Sequence, residues 1–190
     1  MSNAPQPAPA PANAGRNNPD KYSNAGTTPD PWEACAALEY GADRSFAWSV
    51  REQVINTPPE GRSRIEDRLL KALGLPTCTA AGRAFLCQML ALAGSEKSVP
   101  ILAALLKQAN AVELARYALE AIPGPEASAA LRAALADVSG PAKAGLIGSI
   151  AMRRDREATA ALTAIRDHAS EPTLVREAAR RALEVINAQA

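Results

Sequence analysis

From Ser95 onward the sequence repeats itself at an interval of about thirty residues. The segments 95–123, 124–154 and 155–190 each contain two short amphipathic stretches separated by a polar or Gly/Pro break. Their second stretches end in similar text, Tyr117-Ala118-Leu119-Glu120-Ala121-Ile122 and Arg181-Ala182-Leu183-Glu184-Val185-Ile186, with Gly148-Ser149-Ile150-Ala151 at the same place in the middle copy. The first stretches correspond as well, at Val99 to Leu106, Ala127 to Leu135 and Ala158 to Ile165. A period this short leaves few options. One hairpin of helices cannot bury both its faces alone, so each copy must lean on its neighbours.

Upstream, helix punctuation continues with less similarity. Asp30 can cap a helix that has Pro31 in its first turn and Gly41 at its end, and Asp43 opens a second helix that stops before Pro58-Pro59. A third runs from Glu60 to Leu73 and closes on Gly74; a fourth opens near Thr77 or Thr79 and closes at Gly94. Apolar residues recur at i, i+3, i+4 and i+7, as in the run from Arg64 to Leu70. Residues 58–94 are read as a divergent further repeat and 29–57 as an N-terminal cap, with Trp32, Tyr40, Phe46 and Trp48 packed inside to close the end. The chain is 47 % hydrophobic but only 4 % aromatic, so its apolar content is mainly Ala and Leu, a mixture suited to helix-on-helix packing rather than to a sheet. Residues 1–28 have almost nothing to bury. Their Pro-Gln-Pro-Ala-Pro-Ala-Pro run predicts a disordered or polyproline-II arm, either a tether or a segment that docks on a partner.

The run Glu171-Pro172-Thr173-Leu174-Val175-Arg176-Glu177-Ala178-Ala179-Arg180-Arg181-Ala182-Leu183 resembles the HEAT-repeat family, in the short bacterial form also found in phycobilisome-lyase-type repeats. The resemblance covers about residues 60 to 190. It implies an all-α, right-handed α-α superhelical solenoid, an armadillo-like helical architecture. In that family an Arg commonly joins a polar ladder between neighbouring repeats. Arg176 matches its position, with Glu171 in place of the usual Asp; Lys143 and Arg83 fall at the same point of their copies, and Val112 interrupts the series. The text around Ala115 to Pro123 and Gly145 to Asp155 is also similar to modules of exported bacterial proteins. That slightly favours a periplasmic or exported location over a cytoplasmic one. The opening Met1-Ser2-Asn3-Ala4 reads as a remnant of recombinant expression, which leaves room for a removed leader.

The residue types needed for chemistry do not assemble. His168 is the only histidine, which disfavours zinc, and Cys35, Cys78 and Cys87 form no C-x-x-C pair. The cysteines are read as small buried hydrophobes, with one disulfide plus a free thiol as the alternative in an exported protein. His168 at a helix end is read as structural. Glu66-Asp67-Arg68, Arg154-Asp155-Arg156-Glu157 and Arg176-Glu177 are read as solvated, ion-paired helix faces. With 21 basic and 20 acidic residues the net charge is +1, too even for a nucleic-acid backbone. No apolar run is long enough to span a membrane. The expectation is therefore no catalytic, cofactor-binding or metal residue and no cofactor.

What remains is a surface. Second helices of stacked hairpins line the inner side, and they carry Arg83, Arg116, Tyr117, Lys143, Arg153, Arg176, Arg180 and Arg181. Arg116, Tyr117, Arg180 and Arg181 fall at equivalent points of their repeats and predict a ridge that meets an acidic or polar protein surface. The function expected is that of a non-catalytic scaffold for a protein partner. The alternatives are an accessory subunit of a larger enzyme or redox assembly and, last, a HEAT-like enzyme acting on nucleic acid or tetrapyrrole.

Overall fold

The computed structural model describes residues 30–188; the arm expected over 1–28 lies outside the described residues. Among the described residues the protein is all-helical, with ten α-helices and no strand. They are α1 (Pro31–Ala36), α2 (Ser45–Asn56), α3 (Arg62–Leu73), α4 (Ala80–Ala93) and α5 (Val99–Leu106). There follow α6 (Val112–Ala121), α7 (Pro125–Ala134), α8 (Gly140–Met152), α9 (Thr159–Asp167) and α10 (Thr173–Asn187). Single 3-10 turns at Pro59–Gly61, Glu96–Ser98 and Arg156–Ala158 lead into α3, α5 and α9.

Local chemistry sets most of the boundaries. The Asp30 carboxylate accepts from the Trp32 amide at 2.9 Å and Pro31 occupies the first turn, so α1 starts where its cap requires. It ends at Ala36, well short of the Gly41 expected from sequence. The reason is tertiary: the Ala36 carbonyl, which a longer helix would need, accepts instead from the Thr79 amide at 2.9 Å. Thr79 also caps α4 by accepting from the Gly82 amide at 2.9 Å, and its hydroxyl donates to the Leu38 carbonyl. A Cβ on Gly82 would run into the Ala36 carbonyl, so the glycine is what lets α4 approach α1.

Helices adjacent in sequence pair as α3 with α4, α5 with α6, α7 with α8 and α9 with α10. The second members also pack on one another in chain order, α4 on α6, α6 on α8 and α8 on α10. One continuous apolar cluster runs through them from Trp32 to Ile186, dominated by Leu and Ala with Leu69, Leu86, Leu102, Leu131, Leu146 and Leu162 fully buried.

Polar links between successive pairs recur at similar sequence separations. Glu66, only 2 % exposed, accepts from the Ser95 amide at 2.7 Å, the Ser95 hydroxyl at 2.8 Å and the Ser98 hydroxyl, at separations of 29 and 32 residues. Lys97 pairs with Asp67 at a separation of 30, and Lys143 with Glu171 at 28. Arg153 reaches back 29 to 34 residues to the carbonyls that close α6. Glu66 and Asp155 thus depart from the solvated faces expected of them. Both are buried because each holds the tight turn that opens the next pair: Asp155 accepts from the Glu157 amide at 3.1 Å and pairs with Arg132.

The aromatic cap is only half as expected. Trp32 is buried, with the Arg68 guanidinium 5.5 Å over its ring, and Phe46 is half-buried. Tyr40 and Trp48 are 74 % and 65 % exposed. In α2 the inner face is filled by Ala47, Val50 and Val54, and Trp48 stays outside that core.

A candidate binding groove

The row of second helices bears three depressions that share walls. The first, of about 300 Å³, lies between α2 and α4 and is bordered by Arg44, Trp48, Arg51, Phe85 and Gln88. The second, of about 280 Å³, lies between α4 and α6 and is bordered by Gln88, Glu113, Arg116 and Tyr117. The third is the largest, about 540 Å³, and crosses α6, α8 and α10 from Arg116 and Glu120 to Arg181 and Val185. Gln88 belongs to the first two and Arg116 to the last two, so the three form one trough along α2, α4, α6, α8 and α10.

A polar knot holds the middle of the trough in place. Arg116 donates through Nε to Glu113 at 2.7 Å and through its terminal nitrogen to the Ser149 hydroxyl at 3.2 Å. Ser149, fully buried, donates to Glu120 at 2.7 Å. This arrangement is possible because residue 145 is glycine: a Cβ there would sit 2.8 Å from the Arg116 Nε. Arg116 therefore ties α6 to α8 as well as bordering the trough.

The eight basic and aromatic residues expected on this face have different fates. Arg116, Tyr117 and Arg181 border the trough, and Tyr117 is 56 % exposed. Arg153 is half-buried, with its guanidinium turned onto the protein. It donates to the carbonyls of Leu119 at 2.9 Å, Glu120 at 2.9 Å, Ile122 and Gly124 at 2.7 Å and to the Ser128 hydroxyl at 2.8 Å. It thereby satisfies carbonyls that the end of α6 leaves without helical partners. Burial pulls its pKa below the ordinary arginine value, against the opposing pull of Asp155 and Glu120. Lys143 is half-buried in its pair with Glu171, the one ladder position of the three where the expected link between neighbouring repeats forms. Arg176 donates to the Arg166 carbonyl at 3.2 Å within its own pair of helices. Arg180 is held along α10 by Glu177 at 3.0 Å and Glu184 at 2.5 Å. Arg83 is half-buried in α4 beside Cys78 and Cys87. Arg180 thus points its charge along its own helix, and the expected ridge contracts to Arg116, Tyr117 and Arg181.

Sequence reasoning missed the apolar part of the trough. Met152, Leu174 and Val185 are 69 %, 53 % and 44 % exposed and border the third depression. Its floor is the face of α8 that carries Ala144, Gly145, Gly148 and Ala151. Among the described residues, three glycines lie in helix interiors: Gly82, Gly145 and Gly148. The first two have intramolecular reasons, given above. A Cβ on Gly148 would meet nothing within 4 Å. A mid-helix glycine costs about 0.5–1 kcal/mol relative to alanine, and at Gly148 no contact inside the protein accounts for it.

Elsewhere the described residues offer little chemistry. No three His, Cys, Asp or Glu side chains among them gather where they could hold a metal ion, and no helix is long and apolar enough to cross a membrane. The cysteines are free thiols; Cys35 and Cys87 are buried and burial pushes both up to about 12. His168 follows α9, with its Nδ1 2.8 Å from the Ser170 hydroxyl. Comparison of the chain with protein-family models, curated proteins and solved structures finds no match.

Proposed function

We propose that this protein is a non-catalytic scaffold that holds a protein partner along the trough formed by its second helices, and that its helix pairs stack as a right-handed HEAT-like α-α solenoid. Support for the stacking comes from the recurrence of inter-pair polar links at separations of 28 to 34 residues, which agrees with the repeat in the sequence. Support for the function rests on one observation above the rest: three depressions linked through Gln88 and Arg116 run across five helices and expose Trp48, Tyr117, Met152, Leu174 and Val185. Large side chains left 44 % or more exposed along one continuous face mark an interaction surface more often than chance exposure does. Trp, Tyr and Arg are also the side chains that anchor protein interfaces, since they offer wide contact area with a polar tip.

The test is geometric. A photo-crosslinking amino acid placed at Gln88, Tyr117 or Met152 in the native host captures one common partner. The same group placed at exposed first-helix positions Ala104, Ala133 or Ala161 does not. Equal capture at both sets, or none at either, defeats the reading.

A further inference from the structure

We infer that the third depression is a seat for an α-helix of the partner, laid along α8 and carrying a carboxylate opposite Arg181. This inference rests on the scaffold reading and adds the shape and charge of what is bound.

The seat follows from what α8 lacks. Helices pack at axis separations of about 8–10 Å when ordinary side chains intervene, so α6 and α10, on either side of α8, stand roughly 18 Å apart. A helix about 10 Å across fits between them only if the floor is nearly bare. From Ala144 to Ala151, about 10 Å of helix axis, the floor carries nothing larger than a methyl group. Met152, Leu174 and Val185 stand at its edges, exposed and able to clasp the apolar stripe of a two-turn helix. Gly148 is the observation that distinguishes a seat from a mere dip. It weakens α8 without relieving any clash within the chain, so its use lies in the close approach of a backbone from outside. An extended segment would not need so long a bare floor.

Charge specifies the rest. Arg116 is already matched by Glu113 and Glu120. Arg181, on the opposite wall, has no hydrogen-bonding or ion-pair partner among the described residues and is exposed. An occupant with apolar residues at i, i+4 and i+7 and an Asp or Glu on the flank facing α10 would complete it.

The test uses the whole chain and a displayed library of 15-residue peptides. Half are built on a helical Ala/Lys scaffold randomised on one face, half on a proline-rich extended scaffold; selected peptides are then measured by fluorescence anisotropy. The expected winners are helical, with the apolar spacing above and an acidic flank. Their affinity falls tenfold or more on Gly148→Leu, which fills the floor from a position where a Cβ meets nothing within 4 Å, and on Arg181→Glu. Changing the peptide's acid to Lys restores binding to Arg181→Glu. Gly148→Ala raises the Tm by about 2 °C while weakening the same peptides. Extended winners, or helical ones indifferent to Gly148→Leu, overturn the seat. If such winners still depend on Trp48 or Tyr117, the scaffold reading stands and only the seat falls. Peptides that ignore all three depressions, or no binders at all, remove both. Concentration-dependent self-association abolished by Gly148→Leu would make a second copy the occupant and overturn the inference as stated.

Discussion

Glu66 shows how much a single residue contributes to joining one helix pair to the next. Its carboxylate, nearly inaccessible to water, takes hydrogen bonds from the Ser95 amide, the Ser95 hydroxyl and the Ser98 hydroxyl. Glu66→Ala leaves the buried Ser98 hydroxyl and the half-buried Ser95 amide and hydroxyl without their acceptor. The expected cost is about 1–3 kcal/mol, read as a lower urea midpoint with little change in slope. The cysteines make a second residue-scale prediction. The free thiol ionises at 9.0 and the Cys35 and Cys87 thiols, pushed up by burial, at about 12. Between those values only the unfolded chain sheds its protons. The stabilising contribution is therefore whole below pH 9 and is lost as pH rises toward 12. Stability measured from pH 8 to 11 should fall, and fall less in Cys35→Ala/Cys87→Ala once its lower baseline is subtracted. In the native protein at pH 8 a thiol reagent should modify half-exposed Cys78 first, with Cys35 and Cys87 reacting only at the rate of opening.

Among the elements, the boundaries divide into those set locally and those set by a neighbour. Asp30, Thr79 and Gly74 cap or close helices where the sequence indicates, because a cap is satisfied within a few residues of chain. The early end of α1 and the end of α6 are different, since their free carbonyls are met from helices far along the chain. Arg153 joins α8 to the α6–α7 turn through five hydrogen bonds. Arg153→Ala should cost about 2–3 kcal/mol in denaturant unfolding. Arg153→Lys should recover little, because an ammonium cannot reach several carbonyls at once as the planar guanidinium does. An effect below about 0.5 kcal/mol would show the arginine to be an exposed binding residue after all.

For the whole molecule, the proposed stack of pairs, each contacting mainly its neighbours, predicts graded rather than total loss on shortening. Removal of 155–190 uncovers the apolar faces of α7 and α8 yet leaves the contacts of α1 to α6 intact. Circular dichroism of residues 1–154 should show retained helix that melts at a lower temperature. Complete loss of helix would point to one indivisible globule and against the stacking. Helix class, pairing and period were legible in sequence, because amphipathic spacing and cap residues act over a few positions and a thirty-residue repeat leaves a hairpin little else to pack on. Of the proposed binding face, Tyr117 and Arg181 were legible as exposed residues on second helices, whereas Arg116, expected to be exposed, is half-buried in its ties to Glu113 and Ser149. The trough was not, nor were Trp48 and Gly148 as parts of it, because whether a Trp is buried or a helical glycine is crowded depends on which helix lies opposite. The same holds for Glu66 and Arg153, whose charged text reads as solvated until another helix closes over it. Local chemistry thus determined the helices from the sequence alone. The approach of distant helices decided which polar groups are buried as links and which bare stretch of α8 is left uncovered.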